Sequence, residues 1–461
     1  MPDKPNVIVC LCDQMRPFEV GCYGHTVVQT PNIDRFAAKS ARFEVAVTSN
    51  PICSPARSSL LTGQQVRSCN GILTNVKDRD PPNPKREMLV DTTLPEVFRD
   101  AGYRTALVGK WHVDPQPQLV GFDSVTYPNF EHRHYGQTYR DETAEPVVVV
   151  DEFIGDWELR QAREFLAGDR DQPFFMYYNI ALPHPPIGPR QMPPRYHDMY
   201  SRDEVKFRAN IPGDRDPDND RFWFNTYTSP DYYWRYQRQE AQDPDDLVPD
   251  DFDLADLTRL YYAAITCTDD QFGALIDTLA EFGLDDNTIV VFLSDHGDNL
   301  GSHGLFNKDS LIEESIRIPL IVHDPRDCAP VHDTTHVASI IDVMPTVVDL
   351  AGLPTPDSVQ GQSLAPIVHG GDDIPGGRAA FIETGPMIGI RTPTHCYGMS
   401  FDLESRRPTD NDIWFYDLTE DPLELHNLAG TEAQPELEQE LRQALLAWDQ
   451  STPWQQVPEH G

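Results

Sequence analysis

The chain has 461 residues, 39% of them hydrophobic, and a formal net charge of −37 at pH 7. A chain of this length buries a large core and is expected to hold more than one domain. The strongly acidic charge argues against nucleic acid or an anionic membrane surface as a partner. No apolar run is long enough to span a bilayer.

The lysine and cysteine contents bear on the cellular setting. Only 7 of the 37 basic residues are lysine, and we hypothesise that abundant acid with scarce lysine reflects a salt-rich environment. Residues 1–5 lead into an apolar run without a signal-peptide pattern, so we expect a cytoplasmic protein. No cysteine pair has the Cys-x-x-Cys spacing of a metal site, which fits a reduced compartment. The eight cysteines are Cys10, Cys12, Cys22, Cys53, Cys69, Cys267, Cys328 and Cys396.

Short apolar segments alternate with helical segments through most of the chain. The predicted strands are Asn6–Cys12, Phe43–Thr48, Arg104–Val108, Pro173–Ile180, Thr288–Leu293 and Ile318–His323. The predicted helices are Thr30 to about Ala41, Ser54–Thr62, Thr92–Ala101, Asp156–Ala167, Leu254–Phe282 and Asp342–Ala351. This alternation is typical of an α/β fold in which a large mixed, mostly parallel sheet lies between helices.

Polar side chains follow several of these strands at the point where each strand ends. They are Asp13, Lys110, His112, His184, Asp295 and His296. In an open α/β sheet this edge is where ligands bind, so residues far apart in the chain would share one pocket. The alternative is that polar residues commonly begin the loops after strands. It explains each position singly but not their shared chemistry.

Two stretches differ from this alternation. Pro194–Asp253 is rich in Asp, Pro, Arg and aromatic residues, and we interpret it as a long excursion that forms a lid or one wall of a pocket. Beyond about residue 370, three strand-like segments precede a helix. The strand-like segments are Ala379–Glu383, Ile388–Arg391 and Trp414–Leu418, and the helix lies near Gln434–Trp448. We therefore predict a main catalytic domain over 1–370, with 194–253 as its lid-like excursion, and a small α+β subdomain over 371–461.

The segment around Cys53 has the features of an anion-binding nucleophile. Pro55 suits the first position of a helix over Ser54–Thr62, and Gly63 suits its end. Cys53 would then lie at a helix N-terminus, where free N–H groups and the helix dipole favour an anion. Arg57, one turn further on, would direct its guanidinium to the same place. The alternative is a buried structural cysteine beside a surface arginine.

Four residues at the predicted strand ends have the chemistry of metal ligands. Asp13, Gln14, Asp295 and His296 offer carboxylate, amide and imidazole donors. The oxygen-rich set suits Ca²⁺ or Mg²⁺, and the imidazole also admits Mn²⁺. An Asp-His pair at a strand end is as often a salt-bridged loop pair as a ligand pair. The prediction of a metal therefore depends on Asp13 lying across the sheet edge from Asp295 and His296.

The stretch from Cys53 to Gly63 reads Cys-x-Pro-x-Arg followed by Ser-Ser-Leu-Leu-Thr-Gly. It closely resembles the signature of the type I, formylglycine-dependent sulfatases of the alkaline phosphatase superfamily. Other stretches are similar to further motifs of that family, so the resemblance covers almost the whole chain. These stretches are Gly109–His112, Pro183–Pro186, Ser294–Val322 and Phe415–Leu428. The resemblance implies an alkaline-phosphatase-like fold.

The resemblance also implies a modified nucleophile and a metal. Cys53, converted to formylglycine by a formylglycine-generating enzyme, would be both nucleophile and metal ligand. Asp13, Gln14, Asp295 and His296 would complete the ligand set of one divalent cation. We expect Ca²⁺ before Mn²⁺ or Mg²⁺.

Six further residues would surround the sulfate group if the resemblance holds. Arg57 would brace the modified residue and the anion, and Lys110 and Lys308 would hold the sulfate oxygens. His112 would accept a proton when the sulfated intermediate collapses, and His184 would lie near the leaving-group oxygen. The sixth residue, assigned a sulfate contact, is Asn75.

The chain departs from the commonest family pattern at two positions. Gln14 stands where a second Asp is usual, and His296 stands where Asn is usual. These Asp-Gln and Asp-His forms resemble the branch that contains choline sulfatases and phosphonate monoester hydrolases.

We therefore expect a sulfuric ester hydrolase that cleaves an organic sulfate monoester to an alcohol and sulfate. One alternative is a phosphonate monoester or phosphodiester hydrolase with the same nucleophile. The other is a non-catalytic protein that binds sulfated ligands. A sulfated saccharide, a small alkyl sulfate and an aryl sulfate all remain open as substrates, and the sequence indicates no oligomeric state.

Overall fold

The structure is a computed structural model, and it describes residues 4–76, 83–128, 132–141, 143, 146–168, 171–188, 191–212, 228–229, 252–327, 330–371 and 379–455. Most of the predicted excursion, at 213–227 and 230–251, lies outside the described residues, as does Cys328.

A large sheet forms the centre of the molecule. Its strand order is β11-β2-β10-β8-β1-β7-β3-β4-β5-β6, with β9 paired to β2. The strands are β1 (Asn6–Asp13), β2 (Ala41–Val47), β3 (Arg104–Gly109), β4 (Ser124–Pro128), β5 (Gln137–Arg140), β6 (Pro146–Val150), β7 (Phe174–Pro183), β8 (Thr288–Ser294), β9 (Arg317–Ile318), β10 (Leu320–His323) and β11 (Val331–Ser339). The four strands β8, β1, β7 and β3 are neighbours and run parallel. The predicted mixed, mostly parallel sheet is confirmed.

Helices cover both faces of this sheet. They are α1 (Pro31–Ala37), α2 (Cys53–Thr62), α3 (Val66–Cys69), α4 (Leu94–Asp100), α5 (Ile154–Leu166), α6 (Leu254–Glu281), α7 (Glu313–Ile316), α8 (Val343–Leu350), α9 (Ala365–Val368) and α10 (Pro435–Ser451). Every residue of β1 is buried. Alternate residues pack to opposite sides, Val7 and Leu11 with α2, α4 and α8, and Ile8 and Cys10 with α1, α5 and α6. Burial on both faces explains why β1 is a continuous apolar run.

A second, antiparallel sheet lies in the C-terminal part of the chain. It has the order β12-β13-β14-β15 and consists of β12 (Ala380–Glu383), β13 (Met387–Arg391), β14 (His395–Asp402) and β15 (Arg407–Asp417). Leu445 and Trp448 of α10 pack on its residues Ile390 and Tyr397. The predicted smaller C-terminal α+β unit is therefore present, while its boundary at residue 370 remains a prediction.

Arg67 of α3 joins the two parts of the chain. Its guanidinium is buried, with Nε 2.5 Å from Glu383 Oε1 and Nη1 2.7 Å from Asp449 Oδ1. The same group lies over the rings of Trp448 and Trp454, with centroid distances of 4.5 and 4.8 Å. Pairing on both nitrogens offsets the cost of burying this charge.

Some predicted elements differ from those observed. The first helix does not continue to Ala41, because it ends at Ala37 and Ala41 begins β2, which pairs with β10 and β11. The predicted strand over Ile318–His323 is two short strands, and β10 runs antiparallel to β8. Among the described residues, no helix combines the length and apolar character that crossing a membrane requires.

Candidate active site

The polar residues at the strand ends meet at one edge of the large sheet. Asp13 ends β1, Lys110 follows β3, His184 follows β7, and Asp295 follows β8. Because these four strands are parallel neighbours, their carboxyl ends bring the four side chains together. The convergence that we predicted from the strand ends is therefore observed.

Cys53 is the first residue of α2 and is completely buried. Its Sγ lies 2.9 Å from Lys308 Nζ, 3.2 Å from His296 Nε2 and 3.6 Å from Asp13 Oδ1. The helix begins after the extended residue Ile52, so the first free N–H groups of α2 lie beside this cluster.

Asn75 lies at the same helix terminus. Its Oδ1 accepts a hydrogen bond from the Ser54 N–H at 3.1 Å, which satisfies one free donor of α2. The proposed sulfate contact of Asn75 remains a prediction.

Arg57 braces the cluster from one turn further along α2. Its Nε donates to Asp295 Oδ2 at 3.0 Å, and its Nη1 donates to Asn179 Oδ1 at 3.0 Å and to the Lys110 carbonyl at 3.2 Å. Nη2 lies 3.6 Å from Asp13 Oδ2 and has no hydrogen-bond partner among the described residues. Arg57 is buried, so the alternative of a surface arginine is wrong.

Four of the predicted ligands form a compact donor set. One atom each of Asp13, Cys53, Asp295 and His296 lie within 4.8 Å of one another, and all four residues are buried. His296 Nδ1 lies 2.9 Å from the Gly297 carbonyl, which only accepts, so this nitrogen carries the proton. The lone pair of Nε2 is then directed at the cluster, as in a metal-ligating histidine. The residues present therefore fit a divalent cation.

The charges of the two carboxylates also suit a cation. Burial and the nearby charge of Asp13 raise the pKa of Asp295, against the opposing charge of Arg57. Burial also acts to raise the pKa of Asp13, but Lys110, Arg57 and Lys308 outweigh it and lower that pKa well below its usual range. A cation between two buried like charges relieves their repulsion.

Gln14 has a different set of contacts. Its amide oxygen accepts from Lys308 Nζ at 2.8 Å, and its amide nitrogen donates to Asp298 Oδ2 at 2.6 Å. The backbone N–H of Gln14 donates to Asp295 Oδ1 at 3.0 Å. Gln14 thus lies beside the donor set, and its role as a ligand remains a prediction.

Two buried lysines bring positive charge to Cys53. Lys110 Nζ lies 2.5 Å from Asp13 Oδ2 and 3.9 Å from Cys53 Sγ. Burial and Asp13 raise the pKa of the Cys53 thiol, but nearby cations, chiefly Lys110 and Lys308, outweigh them and lower it to about 6. These cations create a site where a bound oxyanion is stabilised without reorganisation of the protein.

His184 is in contact with Lys308. Its Nδ1 faces the Pro185 carbonyl, so Nδ1 carries a proton and Nε2 is the atom that lies 3.0 Å from Lys308 Nζ. Burial lowers the pKa of His184, and the charges of Lys308 and Lys110 lower it further. A neutral His184 therefore accepts a hydrogen bond from Lys308 at the edge of the pocket.

Three residues of the site were missed by the sequence analysis. Asn179 lies inside β7 and binds Arg57, and Asp298 binds Gln14. His132 stacks on His184 with ring centroids 3.9 Å apart, and the ring of His112 lies edge-on to His132 at 6.1 Å. Asp298 falls inside the stretch that resembles a family motif, whereas Asn179 and His132 had no local signal.

Comparisons with known proteins agree with this geometry. A family model described as Sulfatase matches residues 5–353, and one described as N-sulphoglucosamine sulphohydrolase, C-terminal, matches residues 301–451. The chain therefore belongs to the sulfatase family, with the alkaline-phosphatase-like fold that the motifs implied. It is a sulfatase, which confirms the predicted sulfuric ester hydrolase.

Individual relatives are similar over nearly the whole chain. An ulvan-active sulfatase of Formosa agariphila is 29% identical over 459 residues, which cover 95% of this chain and 79% of the relative. A choline-sulfatase of Rhizobium meliloti is 29% identical over 467 residues, covering 94% and 84%. A solved structure described as a complex with its substrate D-glucosamine-2-N,6-O-disulfate has a TM-score of 0.79 and 25% identity, covering 97% and 98%.

Proposed function

We propose that this sulfatase hydrolyses a sulfate ester of a saccharide through a formylglycine derived from Cys53. The observation that carries the proposal is the position of Cys53 Sγ, 2.9 and 3.9 Å from two buried ammonium groups and beside the Asp13, Asp295 and His296 donor set. A hydrated aldehyde at this position has two hydroxyls. One attacks sulfur and the other later expels sulfate.

Binding of the sulfate group is assigned to fixed positive charge. Lys110 and Lys308 neutralise the non-bridging oxygens, and Arg57 holds Asp295 and the start of α2 in place. Because these groups are buried and already oriented, they stabilise charge that develops as the ester S–O bond breaks.

Proton transfer is assigned to two histidines and one carboxylate. As the oxygen of one hydroxyl of residue 53 bonds to sulfur, the proton of that hydroxyl passes to the neighbouring Asp295 carboxylate, the ester S–O bond breaks, and His184 supplies the proton that the leaving oxygen needs. The negative sulfate group offsets the cationic neighbours that lower the pKa of His184. His112 then takes the proton of the second hydroxyl, the aldehyde C=O forms, and the bond to the sulfate oxygen breaks.

A divalent cation completes the proposed site. Asp13, Asp295, His296, the Gln14 amide oxygen and an oxygen of the modified residue 53 would hold it. The cation supplies Lewis-acid stabilisation of the sulfate oxygen and of the nucleophile. We propose Ca²⁺, because oxygen donors predominate. Exhaustive chelation is expected to reduce activity, and refilling with Ca²⁺, Mn²⁺ or Mg²⁺ in turn identifies the preferred ion. Full activity after chelation would contradict the assignment.

The substrate class rests on the relatives. The similar solved structure is described as a complex with a glucosamine disulfate, and one relative is named for its activity on ulvan. A screen of sulfated saccharides against choline sulfate tests this assignment. Preferential turnover of choline sulfate would contradict it.

Intact-mass analysis and turnover test the nucleophile together. The peptide that contains Cys53 is expected to be about 18 Da lighter than its sequence mass when formylglycine has formed. Cys53→Ala should abolish turnover without unfolding the protein. Cys22→Ala, at a half-buried cysteine outside the cluster, is the matched control and should stay active.

The phosphonate or phosphodiester alternative is tested on the same preparation. A phosphodiester resembles a sulfate ester in charge and shape, so the anion pocket admits both. We expect kcat/KM for p-nitrophenyl sulfate to exceed that for a phenylphosphonate ester. The reverse order would favour the alternative.

A further inference from the structure

His132 lies against the anion pocket although no motif of the sequence includes it. Its ring is parallel to that of His184, with centroids 3.9 Å apart and planes 8° apart. One ring nitrogen of His132, one of His184 and a carboxylate oxygen of Asp13 lie within 4.8 Å of one another. His132 therefore presents a polar atom to the same space as the predicted catalytic residues.

The charges around this space select an anion as its occupant. Lys110 Nζ lies 2.5 Å from Asp13 and Lys308 Nζ lies 3.0 Å from His184, so two ammonium groups line the space that His132 faces. A further cation placed between these two ammonium groups would be repelled by both. A tetrahedral oxyanion would be attracted to both. An imidazole N–H beside two ammonium groups is a further donor for such an anion.

We propose that His132 is an additional substrate-binding residue, which donates a hydrogen bond from its ring to the bound sulfate group next to His184. The proposal rests on the proposed function, because it takes the sulfate group as the occupant of the pocket. A neutral imidazole carries one N–H, so this contact requires no charged histidine but only the tautomer whose N–H faces the pocket, and the Asp13 carboxylate oxygen within 4.8 Å favours that tautomer. Burial, His184 and Lys110 all lower the pKa of His132, which agrees with a neutral donor.

Two substitutions separate donation from stacking. His132→Phe keeps a flat ring against His184 but removes the donor, whereas His132→Gln keeps an N–H donor but removes the ring. With inorganic sulfate as the probe in titration calorimetry, we expect H132F to raise Kd about 10- to 100-fold, the range of a hydrogen bond to a charged group. H132Q should stay within about three-fold of the wild type.

The control is His395→Phe, because His395 also stacks on an aromatic ring, that of Phe415 in the small sheet. H395F should bind sulfate as the wild type does. Melting temperatures show whether each variant is folded, and H132L replaces H132F if the phenylalanine variant does not fold.

Three results would overturn the inference. The first is wild-type sulfate affinity in H132F, which would indicate stacking if only H132Q loses affinity, and the second is equal loss in H132F and H132Q, which would indicate that the side chain acts through its shape and not through its N–H. The third is a wild-type protein that binds no sulfate. Sulfate binding does not require turnover. A protein that binds sulfate but hydrolyses no sulfate ester would therefore contradict the proposed function and leave the role of His132 to the comparison of variants.

Discussion

At the scale of single residues, the pocket depends on how buried charges are paired. Arg57 contacts Asp295, Asn179 and the Lys110 carbonyl, so one guanidinium connects α2 with the ends of β8, β7 and β3. Its remaining nitrogen, Nη2, is directed towards Asp13. Arg57 is therefore both a source of positive charge and a positioning group.

Arg57→Ala should lower kcat/KM about 10²- to 10³-fold, the cost of losing one preorganised electrostatic contact. Arg57→Lys keeps the charge but not the fork of donors, so it should recover only part of the loss. Steady-state kinetics with p-nitrophenyl sulfate measure both.

Arg67→Met is the matched control, because Arg67 is equally buried and ion-paired but joins the C-terminal sheet. It should cost about 3–5 kcal/mol of unfolding free energy and leave kcat/KM unchanged. Equal kinetic losses in both arginine variants would show that Arg57 acts only through stability.

Glu424 is a buried acid away from the pocket that has acidic neighbours. Burial and the charges of Glu313 and Glu314 raise its pKa well above the usual range. Its Oε2 accepts from the Glu313 N–H at 2.8 Å, and its Oε1 has no hydrogen-bond partner among the described residues. An acid with a raised folded-state pKa stabilises the fold below its unfolded pKa and loses that contribution as pH rises.

Glu424→Gln should remove this pH dependence, because the amide keeps the acceptor and cannot ionise. The melting temperature of the variant minus that of the wild type should increase between about pH 5 and pH 8. Glu420→Gln, at an exposed glutamate, is the control and should show a constant difference. A constant difference for Glu424→Gln as well would contradict the raised pKa.

At the scale of elements, α2 sets the position of Cys53, the proposed nucleophile. All ten of its residues are buried, and it ends at Gly63, whose φ of 63° is in the left-handed region. A Cβ at Gly63 would lie 2.9 Å from Val359 Cγ1 and 3.4 Å from the Ile341 carbonyl oxygen. Gly352 also follows a helix with positive φ, 69°, but a Cβ there would have nothing within 4 Å.

These two glycines form a matched pair. Gly352→Ala should cost about 1–2 kcal/mol from the left-handed backbone alone. Gly63→Ala should cost about 1–3 kcal/mol more, because the added methyl group overpacks the contact with Val359. Urea denaturation gives both values, and equal values would show that Val359 moves aside without cost.

Parallel packing explains which elements could be predicted from the sequence. β1 and β8 are buried on both faces, so each is a continuous apolar segment with a visible end. β6, by contrast, lies at the sheet edge with Val147 and Val149 more than half exposed, and it was not predicted. The predicted first helix was too long for a related reason. Ala41 is part of β2 because it pairs with β10 and β11, which lie far away in the sequence.

At the scale of the whole molecule, the net charge of −37 acts on stability. Like charges on the surface repel in the compact state, and salt screens them over a Debye length that shortens from about 10 Å at 0.1 M to about 3 Å at 1 M. This repulsion gives a physical reason for the hypothesis of a salt-rich setting.

The melting temperature should therefore rise with KCl concentration at neutral pH. The control is the same series at about pH 4, where many carboxylates are protonated and the salt effect should shrink. A melting temperature that does not depend on salt at neutral pH would contradict the hypothesis.

The sequence by itself determined the local chemistry: the helix that begins at Cys53, the apolar strands, and the polar residues that follow them. These features depend on residues that are close together in the chain, so their spacing can be read directly from the linear sequence. Only the tertiary structure decided that Arg57 meets Asp295, 238 positions away, and that His132 stacks on His184. Such contacts depend on which strands become neighbours and how the loops return to the sheet, and packing across the whole chain decides both.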